Sequence, residues 1–197
     1  MQNPILSSCI HCALPQHLCV CDLQINLPLP LQCCIILHAR EMEKASSTGR
    51  LLYKTGICRG ELWHRTQHNG RHMFTHIDHP CYLLHPQGEI TLPAALPERA
   101  LFIALDGTWQ QANKILRQDS FLADLPRVRL PPADPSQLCL RRNQLQGGLS
   151  TLESIASLLK YNAASIQAAQ LMALFEKFQH HHLMARNQGY YNLCKPV

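Results

Sequence analysis

An α/β layer fold built on a mostly parallel sheet is what this sequence predicts, and three observations predict it. The short apolar runs Cys33–Leu37, Cys81–Leu84 and Ala100–Leu105 read as strands buried on both faces. The tetrads Thr108-Trp109-Gln110-Gln111 and Ser150-Thr151-Leu152-Glu153 have the capping-box pattern that opens a helix. Strands and helices therefore alternate along the chain, as they do where helices cover a parallel sheet.

Taken in order, residues 1 to about 30 hold a cysteine cluster and then Leu27-Pro28-Leu29-Pro30, an extended linker that resists helix. This divides the chain into a small N-terminal segment, 1–30, and a main domain, 31–197. After the first strand, His38 to Arg50 reads as a polar loop leading to Leu51-Leu52-Tyr53. Glu61–Gln67 and Arg71–Ile77 flank His68-Asn69-Gly70, whose Asn-Gly suggests a hairpin. Ala112, Ile115 and Leu116 follow the first capping box at helical spacing, so Ala100–Leu116 forms a strand-turn-helix unit. Arg127–Leu130 suits another strand, and from Ser150 to about Arg186 the chain is mostly helical. Ligands of such sheets bind beyond the carboxyl ends of the strands.

With 197 residues, 46% hydrophobic and 16% charged, the chain can bury a core, which excludes a disordered protein and leaves no room for separate binding and catalytic domains. A net charge of +5 accommodates an anionic partner without requiring one. No apolar run approaches the ~18 residues of a membrane span, and Asn3, Pro4, Ser7 and Ser8 interrupt any leader-like stretch, so a cytoplasmic location is expected, with no membrane partner. Cysteines there stay reduced, and a cluster of them suggests metal before disulfides. Four of the ten fall between Cys9 and Cys21; Cys33, Cys34, Cys58, Cys81, Cys139 and Cys194 are scattered and read as small buried hydrophobes.

Cys9-x2-Cys12-x6-Cys19-x-Cys21 offers four thiolates, the ligand number of a closed structural zinc site. Two local disulfides, an iron-sulfur cluster or unligated thiols are the alternatives. A closed site has no open position, so it serves folding or RNA docking rather than catalysis. Asp106-Gly107-Thr108-Trp109 lies where a strand gives way to a helix, where an active site belongs, although Asp106 could equally cap the helix with Trp109 in the core. The helix start at Ser150 suits an anion such as a cofactor carboxylate, or is an ordinary helix start. Arg40, Lys44, Arg50, Lys54, Arg59, Arg141 and Arg142 would track a phosphate backbone if they shared a face, and are otherwise scattered solvated charges. Histidines 64, 68, 72, 76 and 79 read as solvent-facing strand residues rather than metal ligands, and His180–His182 as residues late in a helix.

The order of these motifs is more specific than any one of them. The cysteine cluster, His38-x-x-Glu41, Thr48-Gly49-Arg50, Leu83-Leu84-x-Pro86, Asp106-Gly107-Thr108-Trp109, Leu140-Arg141 and Leu149-Ser150-Thr151-Leu152-Glu153 together resemble the DTW-domain family of tRNA-uridine aminocarboxypropyltransferases, from Cys9 to about Ile155. Ala39 stands where that family usually has proline, Ser47 where it has asparagine, and Leu138 where an aromatic is common. The resemblance implies a SPOUT-like sheet with a C-terminal knot, S-adenosylmethionine as donor, tRNA as partner, and a protein that acts as a monomer. It also implies that Leu84, Pro86, Gly107, Thr108, Trp109, Ser150 and Thr151 surround the cofactor. Asp106 is then the candidate base toward uridine N3, and Arg40, Lys44, Arg50, Arg141 and Arg142 are candidates for RNA contact, Arg50 and Arg141 also for the cofactor carboxylate. Transfer of the methyl group on the same fold, or a zinc-bearing RNA-binding module without catalysis, are the competing functions.

Overall fold

Among the described residues six strands, all parallel, form one sheet in the order β2-β1-β5-β3-β6-β4. They are β1 Gln32–His38, β2 Arg59–Trp63, β3 Cys81–Leu84, β4 Ile90–Thr91, β5 Leu101–Asp106 and β6 Arg127–Arg129. The helices are α1 Ala39–Met42, α2 Thr48–Lys54, α3 Trp109–Gln118, α4 Ser120–Asp124, α5 Thr151–Tyr161 and α6 Ser165–Asn187. The computed structural model describes residues 7–23, 31–63, 79–92, 97, 99–131 and 148–188.

The apolar runs are continuous because both faces of the sheet are covered. Cys33, Ile35 and Leu37 of β1 and Phe102 and Ala104 of β5 join a core with α2, α5 and α6. Their alternates, Cys34 and Ile36, Leu101 and Ile103, pack instead with Ile115, Leu116 and Leu122 of α3 and α4. This period-two division is the strand geometry at work, since a side chain and its neighbour point to opposite faces. The cysteine segment belongs to the first of these cores, because Cys9, Cys12, Leu14, Leu18 and Val20 are buried with α2 and α6 residues. Of the scattered cysteines, Cys33, Cys34 and Cys58 are buried and Cys81 is half-buried.

The stretch read as a polar loop after β1 holds two helices instead. His38 caps α1, its ring accepting from the Arg40 amide, and Ser47 caps α2, its hydroxyl accepting from the Arg50 amide. Each helix is too short to leave an apolar period in the sequence. Both predicted capping boxes form: Thr108 with Gln111 opens α3, and Ser150 with Glu153 opens α5. The two-residue strand β4 was not foreseen. The proline linker at 27–30, the hairpin centred on Asn69-Gly70, the histidines from 64 to 76, and Cys139 and Cys194 lie outside the described residues. So does the segment 132–147 between β6 and α5, on whose path the expected knot depends.

Candidate active site

From β1 the chain steps to β2 on one side and then crosses to β3 on the other, beyond β5. A reversal of this kind leaves a crevice at the carboxyl ends of the central strands. Four side chains stand at that edge: His38 ending β1, Trp63 ending β2, His85 directly after β3, and Asp106 ending β5. The His38 and Trp63 rings lie 5.8 Å apart, and those of His85 and Trp109 5.3 Å. Trp109 remains 38% exposed.

Asp106 has no exposed surface, and both of its oxygens accept hydrogen bonds from hydroxyl groups. Ser47 Oγ donates to Oδ2 at 2.8 Å, and Thr151 Oγ1 donates to Oδ1 at 2.6 Å. One carboxylate thus joins the residue capping α2, the first residue of α5 and the bend that starts α3. Ser47 does two jobs at once, giving its proton to Asp106 and accepting from the Arg50 amide. An asparagine amide could do the same, with nitrogen donating and oxygen accepting. Gly49 makes the close approach possible: a Cβ there would sit 2.3 Å from the Asp106 carboxyl carbon. Beside it the buried Thr48 hydroxyl has no hydrogen-bond partner among the described residues.

Gly107 is small for reasons of space. Among the described glycines only Gly56 has a positive φ. At Gly107 a Cβ would come within 3.0 Å of Gln111 Cβ, the residue whose side-chain oxygen accepts from the Thr108 amide to close the capping box.

Histidines at this edge are held neutral. Burial lowers the His38 pKa, and Lys114, Arg40 and Lys44 lower it further against the opposing pull of Glu41. His38 Nδ1 accepts from the Arg40 amide, so in the neutral ring the proton sits on Nε2. His85 is lowered by burial and then by Arg127. Three cations, Arg40, Lys44 and Lys114, therefore act on one rim of the crevice; Lys114 was missed in the sequence because its place on α3 gives no local sign of facing β1. Glu41 is buried and pairs with Lys44 at 2.5 Å, so that lysine is partly committed to the fold.

The other expected contacts fall as follows. Leu84 is half-buried at the end of β3, Pro86 and Thr108 are exposed, Ser150 is buried and Thr151 half-buried. Arg40 is exposed on α1, whereas Arg141 and Arg142 lie outside the described residues. The Arg50 guanidinium donates to the carbonyl oxygens of His11 at 2.8 Å and Ile10 at 3.2 Å, which ties it to the cysteine segment.

Cys9, Cys12, Cys19 and Cys21 converge, with all four sulfur atoms within 4.8 Å of one another. Cys9 and Cys21 Sγ are 3.7 Å apart, and Cys12 and Cys19 Sγ 3.8 Å. A tetrahedron of thiolates at the usual zinc–sulfur distance has edges of about 3.8 Å, so the donor set fits zinc in number, element and spacing. Burial raises the Cys12 thiol to about 11, and burial with the neighbouring sulfurs raises Cys21 further. Burial also opposes ionisation of Cys9, but the Cys12 and His11 amides outweigh it and bring that thiol to about 7. Four such sulfurs share negative charge only with a cation among them, which a divalent metal supplies.

A family model for the DTW domain matches residues 6–183, nearly the whole chain. The chain belongs to the DTW-domain family. Among solved structures it is similar to one described as the SAM-dependent rRNA:acp-transferase Tsr3 from Vulcanisaeta distributa, at 16% identity and a TM-score of 0.53, covering 80% of each chain. At that identity the likeness concerns the fold alone, an α/β layer of parallel strands flanked by helices.

Proposed function

We propose that this DTW-domain protein transfers the 3-amino-3-carboxypropyl group of S-adenosylmethionine to N3 of a uridine in tRNA, releasing methylthioadenosine. The observation that carries the reading is the convergence on Asp106: the tryptophan-bearing bend and the start of α5 share one carboxylate, so both border the same crevice. Family membership and the likeness to an aminocarboxypropyltransferase fold support it. No helix among the described residues is long and apolar enough to cross a membrane.

The residues present suit such a donor. Trp109, partly exposed next to His85, can offer its quadrupole to a cation and its flat ring to a purine. The orphaned Thr48 hydroxyl lies next to Gly49, which itself touches Asp106, so it can serve a polar group entering there. Leu84, Pro86, Gly107, Thr108, Ser150 and Thr151 complete the proposed cofactor surroundings. When bound, the sulfonium donor supplies an electrophilic γ-carbon and a neutral leaving group.

Since the leaving group departs uncharged, little negative charge needs trapping, and acceleration depends on holding the reactants in line. Asp106 contributes by fixing Ser47 and Thr151, and through them the two helix starts. Ser47 and Thr151 hold the carboxylate on both oxygens, and its further role as the base at uridine N3 is proposed on its position at the crevice. On the rim, Arg40 and Lys114 are placed to meet phosphate, with Lys44 held partly by Glu41. Zinc at the four cysteines serves folding, and the protein is proposed to work as a cytoplasmic monomer.

Product analysis tests the reading. Purified protein incubated with S-adenosylmethionine and unmodified tRNA is expected to yield methylthioadenosine and a uridine heavier by one aminocarboxypropyl group. S-Adenosylhomocysteine with a methylated nucleoside would replace the proposal by methyl transfer, and an unchanged donor and RNA would leave only a binding module.

A further inference from the structure

We infer that Arg50 and His11 are positioning residues that couple the tetrathiolate site to the Asp106 crevice through α2, so that zinc binding tightens donor binding. The inference deepens the proposed function and rests on it for the identity of the donor. Its structural basis lies in how the loop between the first two cysteines holds one short helix at both ends. Arg50, in the first turn of α2, donates to the carbonyls of Ile10 and His11, both lying between Cys9 and Cys12. The His11 ring, in turn, bonds the carbonyl of Lys54, the last residue of α2, at 2.8 Å. A carbonyl only accepts, so His11 Nδ1 carries the proton there.

The loop's shape is set by its sulfurs. Ala13 is left-handed, with φ 63°, and donates its amide to the Cys9 carbonyl at 2.9 Å; the Cys9 amide donates to Leu14. These bonds form a turn that leaves the two carbonyls directed at the Arg50 guanidinium. Metal–sulfur bonds to Cys9 and Cys12 would pin both ends of that turn, whereas without them only its backbone bonds hold it. The ties of Arg50 and His11 then lose their geometry.

At its other end α2 reaches the crevice directly. Ser47 caps it and bonds Asp106, Thr48 has the unpartnered hydroxyl, and Gly49 packs on the Asp106 carboxyl. Only Gly49 separates Arg50 from Thr48, so a shift of the first turn is a shift of the crevice wall. The segment is also held from α6, where His181 bonds the Leu18 carbonyl at 2.8 Å and Lys177 approaches Asp22 at 4.0 Å. These ties keep the segment docked but do not touch α2, so Arg50 and His11 carry the link.

Linkage makes the coupling measurable from either side, because zinc must change donor affinity by the same factor as donor changes zinc affinity. Zinc affinity is measured by competition with a chromophoric chelator, with and without saturating S-adenosylmethionine, and donor affinity by calorimetry on zinc-loaded and chelator-stripped protein. We expect the wild-type protein to show a factor of at least ~5 in both directions, the lower end of ordinary allosteric coupling. Arg50→Ala should bind zinc more weakly even without donor and bring the factor close to one, while zinc-loaded Arg50→Ala still binds donor. Arg50→Lys, which keeps the charge but not the fork that reaches two carbonyls, should restore little of it. A residue that merely supports the fold would lower both affinities and leave the factor intact, and that result, or a wild-type factor of one, overturns the inference. If stripped Arg50→Ala protein unfolds, His11→Ala takes its place, with the same weakening of zinc binding required and an unchanged wild-type factor overturning the link. Failure of donor to bind any form would sink the transferase reading instead, while weaker zinc binding by Arg50→Ala would still stand as support for the loop tie.

Discussion

Asp106→Ala is expected to lower aminocarboxypropyl transfer at least ~100-fold, the low end of the range for losing a residue on which proton transfer or alignment depends. The substitution removes the acceptor shared by Ser47 and Thr151 and leaves two hydroxyls in a closed site without it. Each costs about 1–3 kcal/mol if water does not replace the carboxylate, so a lower melting temperature should accompany the lost activity. Asp106→Asn separates the ways the carboxylate can act. The amide oxygen still accepts one hydroxyl, and the other hydroxyl can turn to accept from the amide nitrogen. If Asp106 works by holding the two helix starts, asparagine retains most donor affinity and a substantial part of turnover. A base toward uridine N3 cannot be an amide, so donor affinity near wild type with turnover as low as alanine's would assign the proton to Asp106 itself. Calorimetry with donor and single-turnover transfer on the same preparations read the two effects apart.

Gly49→Ala is expected to disable the same site by steric force rather than by loss of a charge. The added methyl would meet the Asp106 Cγ at 2.3 Å and its Cβ at 2.6 Å, and Asp106 cannot move aside easily because it ends a central strand and is bonded on both oxygens. Overpacking of a rigid contact costs about 1–3 kcal/mol, and here relief requires α2 to back away from β5. That movement breaks the Ser47 bond, so donor affinity should fall at least ~10-fold, as for a loss of about 1.4 kcal/mol. Calorimetry checks it; an alanine protein with unchanged donor affinity would mean that the wall formed by α2 is not part of the donor pocket.

Much of this architecture was legible in the residues. The strands Cys33–Leu37 and Ala100–Leu105 could be read because burial on both faces demands uninterrupted apolar side chains, and the two capping boxes could be read because their chemistry is local. The cysteine cluster was equally plain, since four ligands within thirteen residues need no tertiary information. Contacts between distant segments were not legible. Ser47 and Asp106 are 59 residues apart and Thr151 and Asp106 45 apart, and nothing in either neighbourhood marks them as partners. Arg50 shows the same limit: its bonds to the carbonyls of Ile10 and His11, about forty residues earlier, leave no mark in its local sequence. Helices α1 and α2 escaped because four and seven residues give periodicity too little room, although their caps, His38 and Ser47, were in view.

Whether the tryptophan bend and the α5 start form one donor pocket can be decided by hydrogen exchange of the intact protein with and without saturating S-adenosylmethionine. Protection is expected to rise together over 106–112 at the start of α3 and over 150–154 at the start of α5, with the first turn of α2 following. Donor bound with only one of those two helix starts protected would contradict the shared pocket.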